Sequence, residues 1–230
     1  MTAPRSETVG RYLETIYYIC AEGEVARPSR IAEWLGVSAP TVSVGLARLA
    51  REGWVDIAFN RSVTLTGAGA GAAAAIVLRH RLLERWLTDV LGLDWATADT
   101  EAERLAPAVS DTVLARLDDL LGQPTTCPHG NTVPGRNPPY GELIPLADLE
   151  PNVPAWVRRI SEVAEHDAPQ MLRQLTEYGV HTGAAVVVTG DGDGGALAVL
   201  VGTRTMALSA ATAQRIWVET TNAPSSASAG

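Results

Sequence analysis

His80 and Glu84 stand four residues apart, and Asp99 and Glu103 repeat that spacing, so within helices each pair projects from one face. Brought opposite one another, one imidazole and three carboxylates would form a mixed nitrogen and oxygen shell suited to a divalent cation such as manganese or iron. The same spacing also describes a solvated, salt-bridged helix surface, and Arg81 and Arg85 beside the first pair suit that plainer account. A second group of residues suits phosphate. Residues 26–66 hold Arg27, Arg30, Arg48, Arg51 and Arg61 against Glu33, Glu52 and Asp56, although the whole chain carries a formal charge of -8. So acidic a chain does not coat nucleic acid indiscriminately, because such binding draws its affinity from counterion release by many cations. The basic window is the one plausible phosphate-facing surface.

These residues need elements to hold them. From Thr8 to Ala21, Val9, Leu13, Ile16, Tyr17 and Cys20 recur at helical spacing and predict an amphipathic helix that Gly23 ends. A second helix, about Pro28–Leu35, has proline in its first turn and glycine after its end. Ser38 can cap a third that runs to Glu52. Trp54–Ile57 and Ser62–Thr66 alternate as two short strands around the turn Phe59-Asn60-Arg61. Helix, helix, turn, helix, hairpin is the order of a winged helix-turn-helix. Gly67–Leu91 and about Thr97–Leu121, the latter broken near Pro107, predict long helices suited to a dimer interface. Gln123–Pro154 is rich in Pro and Gly and reads as loop and linker. Beyond it Val157–Ile160, Ala184–Thr189, Leu197–Val201, Thr205–Leu208 and Ile216–Glu219 predict a small barrel, with Pro169–Glu177 helical.

The fold expected is therefore mainly α with small β parts. A winged helix-turn-helix DNA-binding domain occupies residues 1–74 and a helical dimerisation and metal-sensing domain 75–142. A linker at 143–154 leads to an SH3-like small β-barrel at 155–221, and 222–230 form a disordered tail. No signal peptide or apolar span is evident, and Cys20 and Cys127 suit reduced thiols, so the expected location is cytoplasmic, with no membrane association. Trp54, Trp86, Trp95 and Trp156 suit core or interface anchors.

In a helix-turn-helix the second helix lies in the major groove with its N-terminal residues nearest the bases. Here these are Ser38, Ala39, Pro40, Thr41, Ser43 and Val44, with Arg30, Arg48, Arg51 and Arg61 placed to bind backbone phosphates. Taken alone, Ser38 and Thr41 are better explained as a cap and helix surface. The pattern continuing through the wing favours DNA.

The segments Arg30-Ile-Ala-Glu-Trp-Leu-Gly-Val-Ser-Ala-Pro-Thr-Val-Ser43, Arg79-His-Arg-Leu-Leu-Glu-Arg85, Val109-Ser-Asp111 and Pro128-His-Gly-Asn-Thr-Val-Pro-Gly135 resemble the diphtheria toxin repressor family of iron- and manganese-dependent repressors. Among these, the actinobacterial manganese transport regulators are most like it. The resemblance runs from about Thr8 to Glu219 and takes in the terminal barrel, with Pro169-Gln-Met-Leu-Arg173. It implies a homodimeric repressor of a palindromic double-stranded DNA operator, not an enzyme. It also implies an ancillary-type metal site for Mn2+ or Fe2+ at His80, Glu84 and Asp99, with Asp167 and Gln170 contributed by the barrel. The family's primary metal position reads Arg11, Glu103, Ala106 and Pro107 here, which leaves too few donors and sets a fixed cation where the metal belongs. The expectation is that this site holds no metal and that Arg11 pairs with Glu103 in its place, and a metal-independent regulator built on that pair is the alternative reading. A metallo-enzyme lacks any accompanying phosphate loop or nucleophile motif. A pure interaction module would use the barrel to bind a Pro-rich segment such as Gly135–Gly141.

Overall fold

The computed structural model describes residues 7–220 apart from 163–165 and 167–168; the expected tail lies outside them. Two compact units form: Met1–Pro124 with Val133–Arg136, and Thr125–Thr132 with Asn137–Gly230.

The first unit is helical with one hairpin: α1 (Glu7–Ala21), α2 (Pro28–Leu35), α3 (Ala39–Arg51), β1 (Val55–Ile57), β2 (Val63–Leu65), α4 (Gly67–Asp89), α5 (Trp95–Leu105) and α6 (Asp111–Leu120). The apolar stripe of α1 is its anchor. Leu13, Ile16 and Ile19 are wholly buried among Ile31 of α2, Val42, Leu46 and Leu49 of α3, and Ala72 and Ala73 of α4. Each such side chain contributes about 2 kcal/mol by leaving water. Alanines on α4 let α1 approach closely, and Gly69 carries this further: a Cβ there would sit 2.0 Å from the Trp54 carbonyl oxygen, so only glycine lets α4 start against the hairpin. The hairpin is antiparallel, pairing Val55 with Leu65 and Ile57 with Val63. Its tip is an Asx turn, in which Asn60 Oδ1 accepts from the Ser62 amide at 3.0 Å and Arg61 takes φ 63°.

Helix α4 runs unbroken through the boundary expected at residue 74, because 67–89 keeps a buried face throughout. Its C-terminal half packs Leu83 and Leu87 on Ala98 and Ala102 of α5. The break expected near Pro107 is the connection between α5 and α6, where Ser110 caps α6 by accepting from the Val113 amide at 3.3 Å. Arg79 of α4 donates to the Val109 carbonyl and to Asp111, which gives two of the quoted sequence motifs one structural purpose.

The second unit is a six-stranded antiparallel sheet with strands β3 (Ile144–Pro145), β4 (Pro154–Ile160), β5 (Ala185–Asp191), β6 (Leu197–Val201), β7 (Arg204–Leu208) and β8 (Ile216–Glu219), in the order β3-β8-β4-β5-β6-β7. Helices α7 (Pro169–Tyr178) and α8 (Ala210–Ala213) accompany it. Alternation buries Val186 and Val188, Val199 and Val201, Met206 and Leu208, and Ile216 and Val218 on one face. Two expectations change here. The expected linker 143–154 contains β3, paired to β8, and a 3-10 turn at Leu146–Asp148, so part of it belongs to the sheet. The expected SH3-like domain is present, but its small barrel is an open sheet whose edges β3 and β7 do not pair among the described residues; β-bulges between Val157 and Arg159 and between Val188 and Gly190 bend it without joining its ends.

Candidate nucleic-acid interface and metal centre

Helix α3 divides its residues by face. Val42, Leu46 and Leu49 are buried, while Ser38, Ala39, Pro40, Thr41, Ser43 and Val44 are all exposed, Val44 at 74%. A single exposed valine is ordinary on a protein surface, but at the start of this helix its methyls are accessible to a thymine methyl. Ser38 caps the helix, accepting from the Thr41 amide at 3.3 Å, and its hydroxyl lies 2.8 Å from that of Thr41. Arg51 and Arg61 are exposed, and Arg48 is exposed while paired with Glu52 at 2.7 Å. Arg30 differs from this expectation. It bonds Glu24 at 3.1 Å and Glu33 at 3.3 Å, lies 5.5 Å over the Trp34 ring, and is only 16% exposed, so its first task is to hold α2. Arg27 donates to the Asn60 carbonyl at 3.3 Å and ties the start of α2 to the wing tip.

The acidic residues converge around His80. Its Nε2 lies 3.2 Å from Asp99 Oδ1, joining α4 to α5. Burial alone would push this imidazole toward the neutral form, but Asp99, Glu84 and Glu14 outweigh it and raise its pKa to about 9. Glu14 of α1 was not anticipated. Burial raises its pKa, His80 and a 3.2 Å hydrogen bond from the Tyr18 hydroxyl oppose that, and Glu103 and Asp99 raise it further. A carboxylate between Leu13 and Ile16 on a buried helix stripe is the sequence signal that could have found it.

The expected bridge from Arg11 to Glu103 is not formed. Arg11 is exposed on another flank of α1, in a groove lined by Glu7, Thr8, Tyr12, Leu35, Val37 and Thr41, and among the described residues it makes no ion pair with Glu103. A guanidinium that stays in water avoids the desolvation of a half-buried acidic site. Ala106 is buried against Leu83, Leu87 and Ala102 and Pro107 is exposed, and neither side chain offers a donor. Gln170 is exposed on α7, and Asp167 lies outside the described residues.

In the second unit the turn Thr125–Thr132 holds Cys127 and His129, both 1% exposed. The turn is fixed by hydrogen bonds within that unit: the Cys127 amide to the Asn131 carbonyl at 2.8 Å, Asn131 Nδ2 to the Ile160 carbonyl at 2.9 Å, and the Thr182 hydroxyl to the Pro128 carbonyl at 3.0 Å. Gly130 has φ 86°, and a Cβ there would fall 1.8 Å from the Arg158 carbonyl oxygen, so this turn requires glycine. A thiol and an imidazole two residues apart were visible in the sequence. Their Pro- and Gly-rich surroundings read as linker, which hides them.

Three family models match the chain. Residues 5–63 match the iron dependent repressor N-terminal DNA binding domain, 66–135 the iron dependent repressor metal binding and dimerisation domain, and 144–220 the FeoA domain. The iron-dependent repressor IdeR of Mycobacterium tuberculosis (strain ATCC 25618 / H37Rv) is 35% identical over 224 residues, which cover 93% of this chain and 97% of that protein. This chain belongs to the iron-dependent repressor family. The diphtheria toxin repressor of Corynebacterium diphtheriae is 36% identical over 197 residues, covering 82% of this chain and 86% of that one. A solved manganese-dependent transcriptional repressor, in complex with manganese, matches with a TM-score of 0.80 and 35% identity over 93% of this chain and all of that one. The family consists of transcriptional repressors, not enzymes, and binds iron or manganese. No helix among the described residues is long and apolar enough to cross a membrane.

Proposed function

We propose that this chain is a cytoplasmic, homodimeric repressor that reads a palindromic operator through α3 and is switched by Mn2+ or Fe2+. The observation that carries the reading is the exposed start of α3, capped by Ser38 and flanked by Arg48, Arg51 and Arg61, in a member of a repressor family. Val90, Leu91, Val113 and Leu120, each at least 49% exposed near the ends of α4 and along α6, supply an apolar surface for a second copy.

The metal reading rests on donor chemistry. Cys127 and His129, two residues apart on one turn, are a buried thiol and imidazole of the kind that holds a divalent ion, and both fall within the matched metal binding and dimerisation domain. The turn bearing Cys127 and His129 leaves the helical unit at Pro124 and returns to it at Val133. His80 and Asp99, with Glu14 and Glu103 about them, are the second donor set, to which Asp167 and Gln170 are joined by family resemblance alone. A bound divalent ion would supply positive charge to offset these carboxylates. The metal-independent alternative loses its main support, because Arg11 does not take the place of a cation beside Glu103.

The test is fluorescence anisotropy on an operator duplex selected from a random pool, titrated with manganese, iron(II) or zinc and then with chelator. Chelator should weaken operator binding at least tenfold, and C127S or H129A should reproduce that loss in excess manganese. Binding indifferent to chelator would return the metal-independent reading, and loss in H80A but not in C127S would move the switch to the second donor set.

A further inference from the structure

The groove that receives Arg11 has a volume of about 310 Å³ and opens beside Thr41, one of the residues at the base-reading start of α3. Its polar lining is Thr8, Arg11, Thr41 and Glu7, and its apolar wall is Leu35, Val37 and the Tyr12 ring. Arg11 is exposed and forms no ion pair with any described residue, Glu7 included. Burial raises the pKa of Tyr12, so its phenol stays neutral and adds no negative charge. We infer that Arg11, with the hydroxyls of Thr8 and Thr41, binds a phosphodiester of the operator backbone, so that α1 contributes a DNA contact of its own.

The inference rests on the DNA-binding reading. A guanidinium presents a planar fork of donors that matches two phosphate oxygens, and hydroxyls from two different helices can complete the set. The apolar wall lowers the local dielectric and strengthens the attraction relative to open water. Ser38 caps α3, and the amides of that helix's first turn point toward the same end as Thr41, which further favours an anion. Glu7, four residues before Arg11 on α1, opposes it and provides an internal control. A cation at this sequence position therefore serves the DNA face and not the metal centre.

Because phosphate contacts are independent of sequence, a random duplex of about 30 base pairs is a sufficient probe, with binding measured across a salt series on the manganese-loaded protein. R11Q should weaken binding about fivefold at low salt and make the log–log salt slope shallower by about 1. R11K should keep the slope, and E7Q should tighten binding. Circular dichroism should show all three folded, and their manganese affinity should equal that of the parent. If the parent binds the duplex and R11Q has the same affinity and slope, the phosphate contact does not exist and the DNA-binding reading stands. If the parent binds no duplex at any salt concentration, both fall. A changed manganese affinity in R11Q with an unchanged salt slope would return Arg11 to the metal centre and overturn the inference.

Discussion

Loss of the His80 proton should make the metal-free protein less stable as pH rises through the mildly alkaline range. Unfolded, the imidazole titrates near 6.5; folded, it holds its proton up to about 9, because Asp99 at 3.2 Å, Glu84 and Glu14 favour the charged form more than burial disfavours it. A folded pKa above the unfolded one stabilises fully below pH 6.5, and the contribution is lost as pH climbs through 9. At 1.36 kcal/mol per unit, the rise from 6.5 to about 9 amounts to about 3 kcal/mol. The assay is urea unfolding of chelator-treated protein between pH 6 and pH 10, with H80Q in parallel. Glutamine keeps a donor for Asp99 but cannot titrate, so the stability gap between parent and variant should shrink by about 3 kcal/mol over that range, other titrating groups cancelling in the difference. Parallel curves, with the gap constant from pH 6.5 to pH 9, would show that His80 is not held charged by its neighbours and would refute the electrostatic account of the cluster.

Removing the cap of α3 with S38A should cost about 1 kcal/mol in urea unfolding and weaken operator binding by more than that loss explains, since the same hydroxyl is exposed at the helix start proposed to read DNA. I16A should cost about 3 kcal/mol, because Ile16 is wholly buried where α1 meets the rest of the DNA-binding core; a loss below 1 kcal/mol would mean that α1 is not packed there. G130A should destabilise by about 2 to 4 kcal/mol, from a positive φ and a carbonyl in the way, and should lower the manganese content of the purified protein by shifting Cys127 and His129; unchanged content would argue against those two as ligands.

Local signals made much of the first unit legible. Pro28, Gly36, Ser38 and Gly53 punctuate α2 and α3, the alternation on either side of Phe59-Asn60-Arg61 gives the wing, and Pro107 marks the end of α5. Five of the six strands in the second unit were equally readable. The sixth, β3, has two residues, too few for any alternation to register, and exists only because β8 pairs with it. The candidate site was less legible, since its charges come from distant stretches. Glu14 gains its meaning from His80 and Asp99, which only tertiary packing brings to it. Family position alone does not fix where Arg11 points; its solvation does. The turn that carries Cys127 and His129 is held by bonds from Thr182 to Pro128, from Asn131 to Ile160 and from Ile160 to His129, which no local pattern encodes.

Helix α1 is where the two chemistries meet. Glu14 faces His80 on α4 and feels Asp99 and Glu103 on α5, while Arg11, one turn earlier, lines the groove beside Thr41 of α3. Without a cation, burial of Glu14 costs most and is what chiefly raises its pKa, and Glu103 and Asp99 add a smaller repulsion, so its charge works against seating α1 on α4 and α5. A divalent cation at this cluster would remove that repulsion and favour the seated position. Because α1 is one rigid helix of 15 residues, the same seating fixes Arg11 and the core under α3. Allosteric control asks only that the cation bind the seated arrangement more tightly than the loosened one. A preference of about 1.4 kcal/mol gives about tenfold in DNA affinity, so a modest difference in cation affinity between the two arrangements is all the coupling requires.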